Sequence, residues 1–276
     1  MAAGWTAIAL ALAAPGAGGL GSRLSKYLHP LAGRPLAWHT LHAVASLLPA
    51  PSRVLVVGAP DLEPERFPGL GVEVELVPSG DGAGEALRAR LADGGPVLAV
   101  DAAAPALGPA LQRLVDAPPP LLLEDPRGRP LAAWVAELPG DAARGLQAFR
   151  AAVPAAARQT DPDGFVVESR AELARATARV RDRLVRALMD AGATFLLPDT
   201  VLVDVDVRIG RDTVVYPNVV LEGQTTIGDE TVIGPGCRIV DSWVGSGVEL
   251  KGFNYVSHTS IRNRAILEPH VRRGFD

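Results

Sequence analysis

The sequence predicts a two-part protein: a Rossmann-like α/β domain over residues 1–165, followed by a short left-handed parallel β-helix over residues 199–276. Two observations support this fold class. Strand-like and helix-like segments alternate through the first part of the chain, and an aliphatic residue returns every six residues through its last quarter. A linker at 166–198, which contains one amphipathic helix, separates the two patterns.

The hexad repeat is the more specific pattern. A period of six fits neither an α-helix, which needs apolar residues three and four apart, nor a simple alternating strand. It fits a coil of short strands with a turn at each corner, and hexapeptide repeats are typical of a parallel β-helix. The step shortens to five only before Val244 and before Ile261. Twelve aliphatic residues are predicted to point inward: Val203, Ile209, Val215, Leu221, Ile227, Ile233, Ile239, Val244, Leu250, Val256, Ile261 and Leu267.

The other hexad positions support the same coil. Twelve hexads, at about three per coil, predict about four coils, and each coil can bury its face only against its neighbours. Cys237 is the single cysteine, so no internal disulfide can form, and it is interpreted as a core residue rather than a reactive thiol. The fifth hexad residues are predicted to point inward: Thr213, Val219, Thr225, Thr231, Cys237 and Val248. Glycines that follow the aliphatic residue are predicted to form corner turns: Gly210, Gly228, Gly234 and Gly245.

The alternation in residues 1–165 predicts a mostly parallel sheet. The predicted strands are Ala7–Ala14, Arg53–Gly58, Val72–Val77 and Pro96–Val100. The predicted helices are Pro35–Leu48, Gly84–Ala92 and Gly108–Val115. Residues 121–163 have weaker signals, which allow only a strand near Leu131–Glu137 and a short helix near Ala142–Ala151.

The linker contains the clearest helix, from Ser169 to Gly192. Ser169 and Glu172 have the spacing of a capping box, in which each side chain satisfies an amide of the first turn. Gly192 is predicted to end the helix as a C-cap. One apolar stripe is formed by Leu173, Val180, Leu184 and Leu188.

Composition argues against several classes of partner. The formal net charge is −4, so the chain lacks the basic footprint of a nucleic-acid-binding protein. No apolar run reaches the roughly 18 residues that a membrane span needs. The run Ala7–Ala14 is short and no basic residue precedes it, so a buried strand is favoured over a signal peptide. The expected location is the cytoplasm.

A glycine-rich loop follows the first predicted strand and ends at Lys26. Glycines such as Gly19 and Gly21 let backbone amides approach phosphate oxygens, and Arg23 and Lys26 would neutralise the charge of a nucleoside triphosphate. Lys26 is one of only two lysines among 27 basic residues, and the ammonium group differs from guanidinium in shape, hydration and hydrogen-bond geometry. Taken alone, a glycine-rich turn after a strand is a weak signal and favours an ordinary turn over a phosphate loop.

The segment 17–26, Ala-Gly-Gly-Leu-Gly-Ser-Arg-Leu-Ser-Lys, resembles the signature loop of sugar-nucleotide pyrophosphorylases, and residues 29–36 continue it. The segments 209–218 and 233–242 resemble the start of the β-helix of one such family. That family is the bifunctional N-acetylglucosamine-1-phosphate uridyltransferase/glucosamine-1-phosphate acetyltransferase family, and the chain is identified as a shortened, divergent member of it. The resemblance covers both ends of the chain well and the middle poorly.

The resemblance implies a site and an assembly. The α/β part would be a reduced nucleotidyltransferase domain that binds a nucleotide or nucleotide sugar with Mg²⁺, and the chain would form a homotrimer. The implied residues are Arg23 and Lys26 for catalysis; Gly19, Gly21, Ser22 and Gly82 for the nucleotide; Gly128 and Glu137 for the sugar; and Asp101 and Glu168 for the metal.

Several positions depart from the family pattern. The loop is shorter, and Ser25 precedes the lysine where the family has proline. The segment 80–85 lacks the glutamine and threonine that read the base, which should reduce affinity and specificity for it. Glu168 stands where the family has asparagine, although a hard cation accepts any carboxylate oxygen. Asp101 as a strand-end turn residue and Glu168 as a helix-entry charge remain alternatives.

These departures leave two functions open. One is a divergent sugar-1-phosphate nucleotidyltransferase of the UDP-N-acetylglucosamine pyrophosphorylase type. The other is a catalytically inactive relative, a pseudoenzyme, that regulates or serves as a scaffold and oligomerises through the β-helix. No acetyltransferase activity is expected, because the chain ends before the coils that carry that site in the family and His258 and His270 match no catalytic position.

Overall fold

A computed structural model describes residues 4–13, 19–92 and 94–275. Ala14 of the first predicted strand and residues 17 and 18 of the glycine-rich loop lie outside these ranges. The chain divides into two compact units. The first comprises Met1–Pro30 and Pro35–Ala176, and the second comprises Leu31–Arg34 and Thr177–Asp276.

The elements up to residue 190 alternate between strands and helices, as the sequence predicts. In chain order the strands are β1 Thr6–Ala11, β2 Pro30–Leu31, β3 Arg34–Pro35, β4 Arg53–Gly58, β5 Glu73–Pro78, β6 Val97–Asp101, β7 Leu121–Glu124, β8 Pro130–Val135 and β9 Arg158–Thr160. The helices are α1 Leu36–Ala45, α2 Ala83–Arg90, α3 Gly108–Val115, α4 Leu146–Ala152 and α5 Arg170–Asp190.

Seven strands form the main sheet, in the order β5-β4-β1-β6-β8-β7-β9. The pairs from β5 to β6 are parallel, β8 runs antiparallel to both its neighbours, and β7 pairs with β9 in parallel. From β1 the chain adds β4 and β5 on one side and then returns to place β6 on the other. The gap between β1 and β6 is therefore a topological switch point, where the carboxyl ends of parallel strands leave a ligand-binding crevice. The predicted α/β fold class is confirmed.

The region with weak sequence signals contributes two strands that the sequence did not reveal. β7 follows the Pro118-Pro119-Pro120 run and pairs with β8, while β9 is an edge strand without an apolar residue. An edge strand pairs on one side only and needs no hydrophobic alternation to form, so β9 had no periodic signal to find. The predicted strand near Leu131–Glu137 is found as β8, shifted slightly towards the N-terminus.

The first turn of α5 has a modified capping box. The Ser169 hydroxyl accepts the Glu172 N–H at 3.1 Å, as predicted. The Glu172 carboxylate bonds the N–H of Glu168 at 2.8 Å, one residue earlier than the usual partner. At the other end Gly192 has φ +112, and the Ala193 N–H reaches back to Leu188 C=O at 3.1 Å. That bond is typical of a Schellman motif with glycine in the left-handed position.

The second unit is a three-sided parallel β-helix. Its strands are β10 Thr194–Phe195, β11 Leu202–Val203, β12 Arg208–Ile209, β13 Val214–Val215, β14 Val220–Glu222, β15 Thr226–Ile227, β16 Val232–Ile233, β17 Arg238–Val240, β18 Trp243–Val244, β19 Glu249–Leu250, β20 Tyr255–Ser257, β21 Ser260–Ile261, β22 Ile266–Leu267 and β23 Arg272–Gly274. The sheets run β10-β13-β16-β19-β22, β11-β14-β17-β20-β23 and β12-β15-β18-β21. The predicted β-helix is confirmed.

The interior of the coil follows the hexad pattern. Eleven of the twelve predicted aliphatic residues are buried, and the twelfth, Ile209, is partly buried against the same cluster. The threonines at the fifth position are also buried, and their hydroxyls bond the backbone of the next coil. Thr231, for example, donates to Gly245 C=O at 2.9 Å and accepts the Val248 N–H at 3.3 Å. Buried hydroxyls are tolerated here because each one is satisfied.

The corner glycines have a different role from the predicted one. Left-handed backbone occurs elsewhere in the hexad, at residues such as Asp212, Asn218 and Glu230. Gly228 and Gly234 follow the aliphatic residue with no positive φ, and they lie directly against the next coil. A Cβ at Gly228 would stand 2.6 Å from the Ser246 backbone nitrogen. Glycine is required there by the close approach of two backbones, not by turn conformation.

The segment Leu31–Arg34 belongs to the second unit. Ala32 and Gly33 both have positive φ and form the two-residue turn of the β2–β3 hairpin. The Arg34 guanidinium lies 2.5 Å from the Asp206 carboxylate, and the Val205 N–H bonds Ala32 C=O at 3.2 Å. The hairpin therefore packs on the first coil. Among the described residues, no helix is long and apolar enough to cross a membrane.

A glycine substitution tests the coil spacing. Gly228→Ala forces a Cβ against backbone atoms that cannot move separately from their coil, so we expect a loss of about 2 kcal/mol of unfolding free energy, in the usual range for overpacking. Gly84→Ala in α2 is the matched control. Its Cβ meets only the Arg88 side chain at 3.8 Å, so it should stabilise the chain by up to about 1 kcal/mol. Chemical denaturation of both variants measures the difference, and equal stability of the two would contradict the steric argument.

Candidate active site

Three segments converge at the carboxyl ends of β1 and β6. Asp101 is the last residue of β6 and pairs in register with Leu10 of β1. Just beyond it, Ala103 C=O accepts the Val167 N–H at 2.9 Å, which brings the segment before α5 alongside the turn. Gly19, in the loop after β1, lies so close to the Glu168 carbonyl oxygen that no Cβ fits between them. The switch point is therefore enclosed by the loop after β1, the turn after β6 and the residues preceding α5.

Lys26 is buried at this site and is only 8% exposed. Its Nζ lies 5.2 Å from the centroid of the Tyr27 ring, and its charge lowers the pKa of Asp101. Within the described part of the chain, the ammonium group has no hydrogen bond or ion pair. A largely enclosed lysine whose ammonium group has no such partner is a candidate for binding an anion.

Tyr27 anchors the same turn to β1. Its phenolic oxygen accepts the Ala13 N–H at 3.1 Å, and the ring is buried. Burial, together with the charge of Asp101, raises the pKa of Tyr27 above its ordinary value, so the phenol stays protonated. This bond links the Lys26 turn to the residues that directly follow β1.

The carboxyl of Asp101 has opposing influences. Burial raises its pKa, while Lys26 and the Ala103 N–H, which donates to Oδ1 at 2.8 Å, lower it. Glu168 adds a further upward influence, so the two carboxylates are close enough to repel each other. The net pKa of Asp101 is raised. A divalent cation or a second positive group at this position would stabilise the ionised form.

Arg129 connects the β7–β8 turn to Glu168. Its Nε donates to Asp125 Oδ2 at 2.7 Å, and its Nη1 donates to Glu168 Oε2 at 2.5 Å. Glu172 lies 3.7 Å from Nη2. Asp125 also accepts the backbone N–H groups of Arg127 and Arg129, and these bonds outweigh burial and hold its pKa below the ordinary value. The turn is therefore rigidly fixed, with a guanidinium aimed at a predicted metal ligand.

The structure brings Gly19, Lys26, Asp101 and Glu168 together, and Gly21 lies in the same loop with φ +58. Gly128 lies in the β7–β8 turn, at the same end of the sheet, because β8 runs antiparallel and Pro130 is near the carboxyl end of β6. These residues form the candidate site.

Other predicted site residues lie apart or contribute only locally. The Ser22 hydroxyl accepts the Leu24 N–H at 3.2 Å, which shapes the loop, and Arg23 is exposed. Gly82, with φ +88, precedes α2 beyond β5, two strands from β1, or roughly 10 Å across the sheet. Glu137 follows Val135, which pairs with Val97 at the start of β6. Glu137 is therefore at the opposite end of the sheet from Asp101, and the structure does not bring it to the other residues.

The segment where the base would bind offers few polar side chains. Gly80 and Gly82 have positive φ, and there is open space at the Cβ position of each. This geometry allows close approach of a planar ring to the backbone, and residues 80–85 contain no amide or hydroxyl side chain.

The carboxylate set fits Mg²⁺ in type but is sparse. Mg²⁺ takes hard oxygen ligands and is usually held by one or two carboxylates together with substrate phosphates. Asp101 and Glu168 supply two carboxylates, and within the described ranges no cluster of three His, Cys, Asp or Glu residues forms a metal site. Arg129 already neutralises Glu168, so a cation would have to displace its guanidinium from that oxygen.

Sequence reasoning missed Arg129, Asp125 and Arg170 as site residues. Arg170 Nε donates to Leu20 C=O at 2.8 Å and so holds the loop after β1. The Asp-Pro-Arg-Gly-Arg sequence of residues 125–129 carries the signal for a turn whose aspartate caps its own amides. Nothing in the sequence indicated that Arg170 would reach back across 150 residues.

The fold defines a class: an α/β domain followed by a hexapeptide-repeat β-helix. Residues 206–240 match the family described as Bacterial transferase hexapeptide (six repeats). Curated relatives include Bifunctional protein GlmU of Caldanaerobacter subterraneus subsp. tengcongensis, 39% identical over 108 residues, and of Geobacillus sp. (strain WCH70), 40% identical over 109 residues. Each match covers 38% of this chain and 23% of the relative.

These matches confirm the predicted resemblance. The chain spans about a quarter of the length of the curated relatives it matches. A solved structure, a homologue of Mycobacterium tuberculosis Rv0371c from Mycobacterium sp. strain JC1, has a TM-score of 0.51 and 17% sequence identity to this chain. It covers 66% of this chain and 99% of its own length, and at that identity it supports the fold alone.

The raised pKa of Asp101 predicts how the stability of the protein changes with pH. Because the folded pKa is above the unfolded one, the ionised carboxylate costs stability at neutral pH, and the cost disappears below about pH 4, where both states are protonated. Asp101→Asn should therefore melt above the wild type at pH 7.5, and the difference should shrink as the pH falls towards 4. The exposed Glu65→Gln serves as control and should show neither effect. A lower melting temperature for Asp101→Asn at pH 7.5 would show that its contact with Lys26 dominates.

Proposed function

We propose that this chain is a divergent sugar-1-phosphate nucleotidyltransferase of the UDP-N-acetylglucosamine pyrophosphorylase type. The observation that carries the proposal is the largely buried Lys26 side chain, whose charge acts on Asp101 at the switch point of the sheet. The curated relatives carry the name Bifunctional protein GlmU, which supports this direction. We further propose that the β-helix contributes assembly rather than acetyl transfer, since His270 stacks on Phe253 and His258 lies 3.9 Å from Asp241 on an open corner.

The proposed reaction is a displacement at phosphorus. A phosphate oxygen of the sugar 1-phosphate attacks the α-phosphorus of the nucleoside triphosphate, the bond to the bridging oxygen breaks, and pyrophosphate leaves with that oxygen. Lys26 and Arg23 bind the phosphates and neutralise the charge that builds up on them, while Gly19 and Gly21 let the backbone approach. Mg²⁺, held by Asp101 and Glu168, would supply further neutralisation of the phosphate charge.

A second candidate function is a nucleotide or nucleotide-sugar binder without turnover. The specific observation in its favour is the 2.5 Å ion pair between Arg129 and Glu168, which occupies one of the two carboxylates proposed for the metal. The segment 80–85, without the base-reading amide and hydroxyl, also favours it. Binding and turnover measurements therefore separate the two candidates.

Replacing Lys26 tests the site itself. Lys26→Ala should reduce affinity for UTP with Mg²⁺ at least about tenfold, because a charge-assisted hydrogen bond to phosphate is lost. Isothermal titration calorimetry measures binding, and pyrophosphate release from UTP with N-acetylglucosamine 1-phosphate measures turnover. dTTP, GTP and other sugar 1-phosphates extend the panel.

The matched control is Lys251→Ala, the other lysine, which pairs with Glu268 on the surface of the β-helix at 2.7 Å. It should leave binding and turnover unchanged. Unchanged binding in Lys26→Ala would refute the phosphate site. Binding without pyrophosphate release from any substrate pair would exclude the enzyme and leave the binder.

Arg129 and a divalent cation should compete for Glu168. Arg129→Gln should bind Mn²⁺ more tightly than the wild type, as measured by electron paramagnetic resonance, and should lose about 1–2 kcal/mol of stability because Asp125 keeps only its backbone donors. Arg127→Gln is the control, since its guanidinium is 75% exposed and 3.8 Å from Glu172. Weaker Mn²⁺ binding in Arg129→Gln would mean that Glu168 is not a metal ligand.

We also propose assembly as a homotrimer through the β-helix. Trp243 and Phe253 are 46% and 59% exposed on the outside of the coil and are the candidate contact residues. Light scattering coupled to size-exclusion chromatography should give three times the chain mass of 28.8 kDa. Trp243→Glu should reduce this mass if that side chain lies in the interface, and a monomeric wild type would refute the proposal.

A further inference from the structure

Two polar atoms next to Lys26 lack hydrogen bonds. Ser25 and His29 flank the short turn Lys26–Leu28, and they are only 2% and 6% exposed. Within the described residues, the Ser25 hydroxyl and His29 Nε2 are buried atoms without a hydrogen-bond partner. Buried polar atoms are nearly always paired in native proteins, so unpaired ones point to a ligand, an ion or a water.

The side chains of Ser25, Lys26 and His29 can each donate a hydrogen bond. The Ser25 hydroxyl and the Lys26 ammonium are donors. Burial and the charge of Arg170 lower the pKa of His29, so its imidazole is neutral at pH 7 and its Nε2 can carry a proton towards an acceptor. A ligand that satisfies all three must be anionic and rich in acceptor oxygens. A phosphate group meets both conditions, whereas a neutral sugar leaves the charge of Lys26 unbalanced.

Ser25 is where this chain departs from the loop that it resembles, which has proline before the lysine. The Ser25 backbone has φ −52, within the range of proline, and its N–H forms no hydrogen bond in the described residues. The backbone can therefore accept either residue, and the added feature of serine is a hydroxyl. An unpaired buried hydroxyl destabilises the free protein, so it should serve a purpose when the site is filled.

The segment in front of Ser25 can make room for a ligand. In Gly21–Leu24 the single hydrogen bond of the described structure is the one from the Leu24 N–H to the Ser22 hydroxyl. Gly21, Arg23 and Leu24 are exposed. A segment with so few contacts can shift at small cost and admit a phosphate to the Ser25 hydroxyl.

We propose that Ser25 is a phosphate-binding residue whose hydroxyl donates, together with Lys26 and His29, to one phosphate group of the ligand. This inference rests on the proposed nucleotide site and deepens it by assigning a donor set that the resembling loop, with its proline, does not have. The hydroxyl costs stability in the free protein and contributes affinity in the complex.

The test compares two measurements on Ser25→Ala, thermal stability and ligand affinity, which should change in opposite directions. For Ser25→Ala we expect the melting temperature of the free protein to rise, because an unpaired polar group is removed. We expect affinity for inorganic pyrophosphate, tripolyphosphate and UTP to fall about tenfold by calorimetry, because one hydrogen bond to an anion is lost. Ser25→Pro is the second variant, should the first fail to fold, and it should show the same loss of affinity.

The control is Ser242→Ala in the β-helix. Ser242 is equally buried, but its hydroxyl donates to Val240 C=O at 2.7 Å and accepts the Thr259 N–H at 3.2 Å. Its removal should lower the melting temperature and leave the affinity unchanged.

Each result decides the matter. Full affinity in a folded Ser25→Ala overturns the inference, and a lower melting temperature alongside it shows that the hydroxyl is held by an internal water. If Lys26→Ala loses binding while Ser25→Ala keeps it, the inference fails and the nucleotide site stands. If the wild type binds none of the three probes, both proposals fail together.

Discussion

The hydrogen bond from the Val167 N–H to Ala103 C=O fixes the geometry on which the candidate site depends. It aligns the residues before α5 with the turn after β6, so that Glu168 comes near Asp101. The same alignment brings the Glu168 carbonyl oxygen against Gly19 and lets the Arg170 guanidinium donate to Leu20 C=O. One main-chain contact between segments more than sixty residues apart thus positions the proposed metal ligands and the proposed phosphate loop together. Substitution at Gly19 would disturb this contact sterically before it affected any ligand.

The candidate site must also balance the charges of its own side chains. The charges of Asp101 and Glu168 repel each other, and Lys26 and Arg129 offset that repulsion, Lys26 at Asp101 and Arg129 at Glu168. An anionic ligand arriving with a divalent cation brings both signs of charge. It can therefore replace the internal partners without leaving any of the four groups uncompensated. Lys26 and Arg129 therefore compensate the two carboxylates when no ligand is bound. Arg129 is as important to the charge balance of the empty site as the two carboxylates are.

The parts of this structure that the sequence predicts are those encoded locally. Residues such as Ile233 and Thr231 repeat at fixed spacing, and each faces the coil interior because the period of the chain and the period of the coil are the same. The switch point also follows from local patterns, since strands and helices alternate in order. Arg129 and Glu137 are different, because their positions depend on which way β8 runs. Because β8 is antiparallel to β6, the residues before β8 lie at the carboxyl end of β6 and the residues after it lie at the amino end. The sequence of β8 does not indicate the direction in which the strand runs. The local sequence around Glu137 therefore does not reveal that this residue lies away from the candidate site.

The role of the corner glycines has the same origin. Gly228 carries a turn-like sequence signal, but the reason for glycine is a backbone atom 18 residues later, one coil away. Local propensity and a long-range contact select the same residue here.

Buried hydroxyls are bonded in both units, as Thr40 shows by donating to Ala102 C=O at 3.1 Å, and Ser25 is the exception among the described residues. In the β-helix, Thr231 and Ser242 are buried and fully bonded to the backbone of adjacent coils, so their hydroxyls contribute to stability and are not available to a ligand. In the turn beside Lys26, Ser25 is just as buried, and its hydroxyl has no hydrogen-bond partner among the described residues. A chain that satisfies buried hydroxyls in both units has the means to do so at Ser25. The unpaired hydroxyl at Ser25 is therefore better explained by selection for a ligand than by poor packing. The Lys26 ammonium next to it also has no hydrogen bond or ion pair among the described residues, and in our proposal one phosphate group would pair with both.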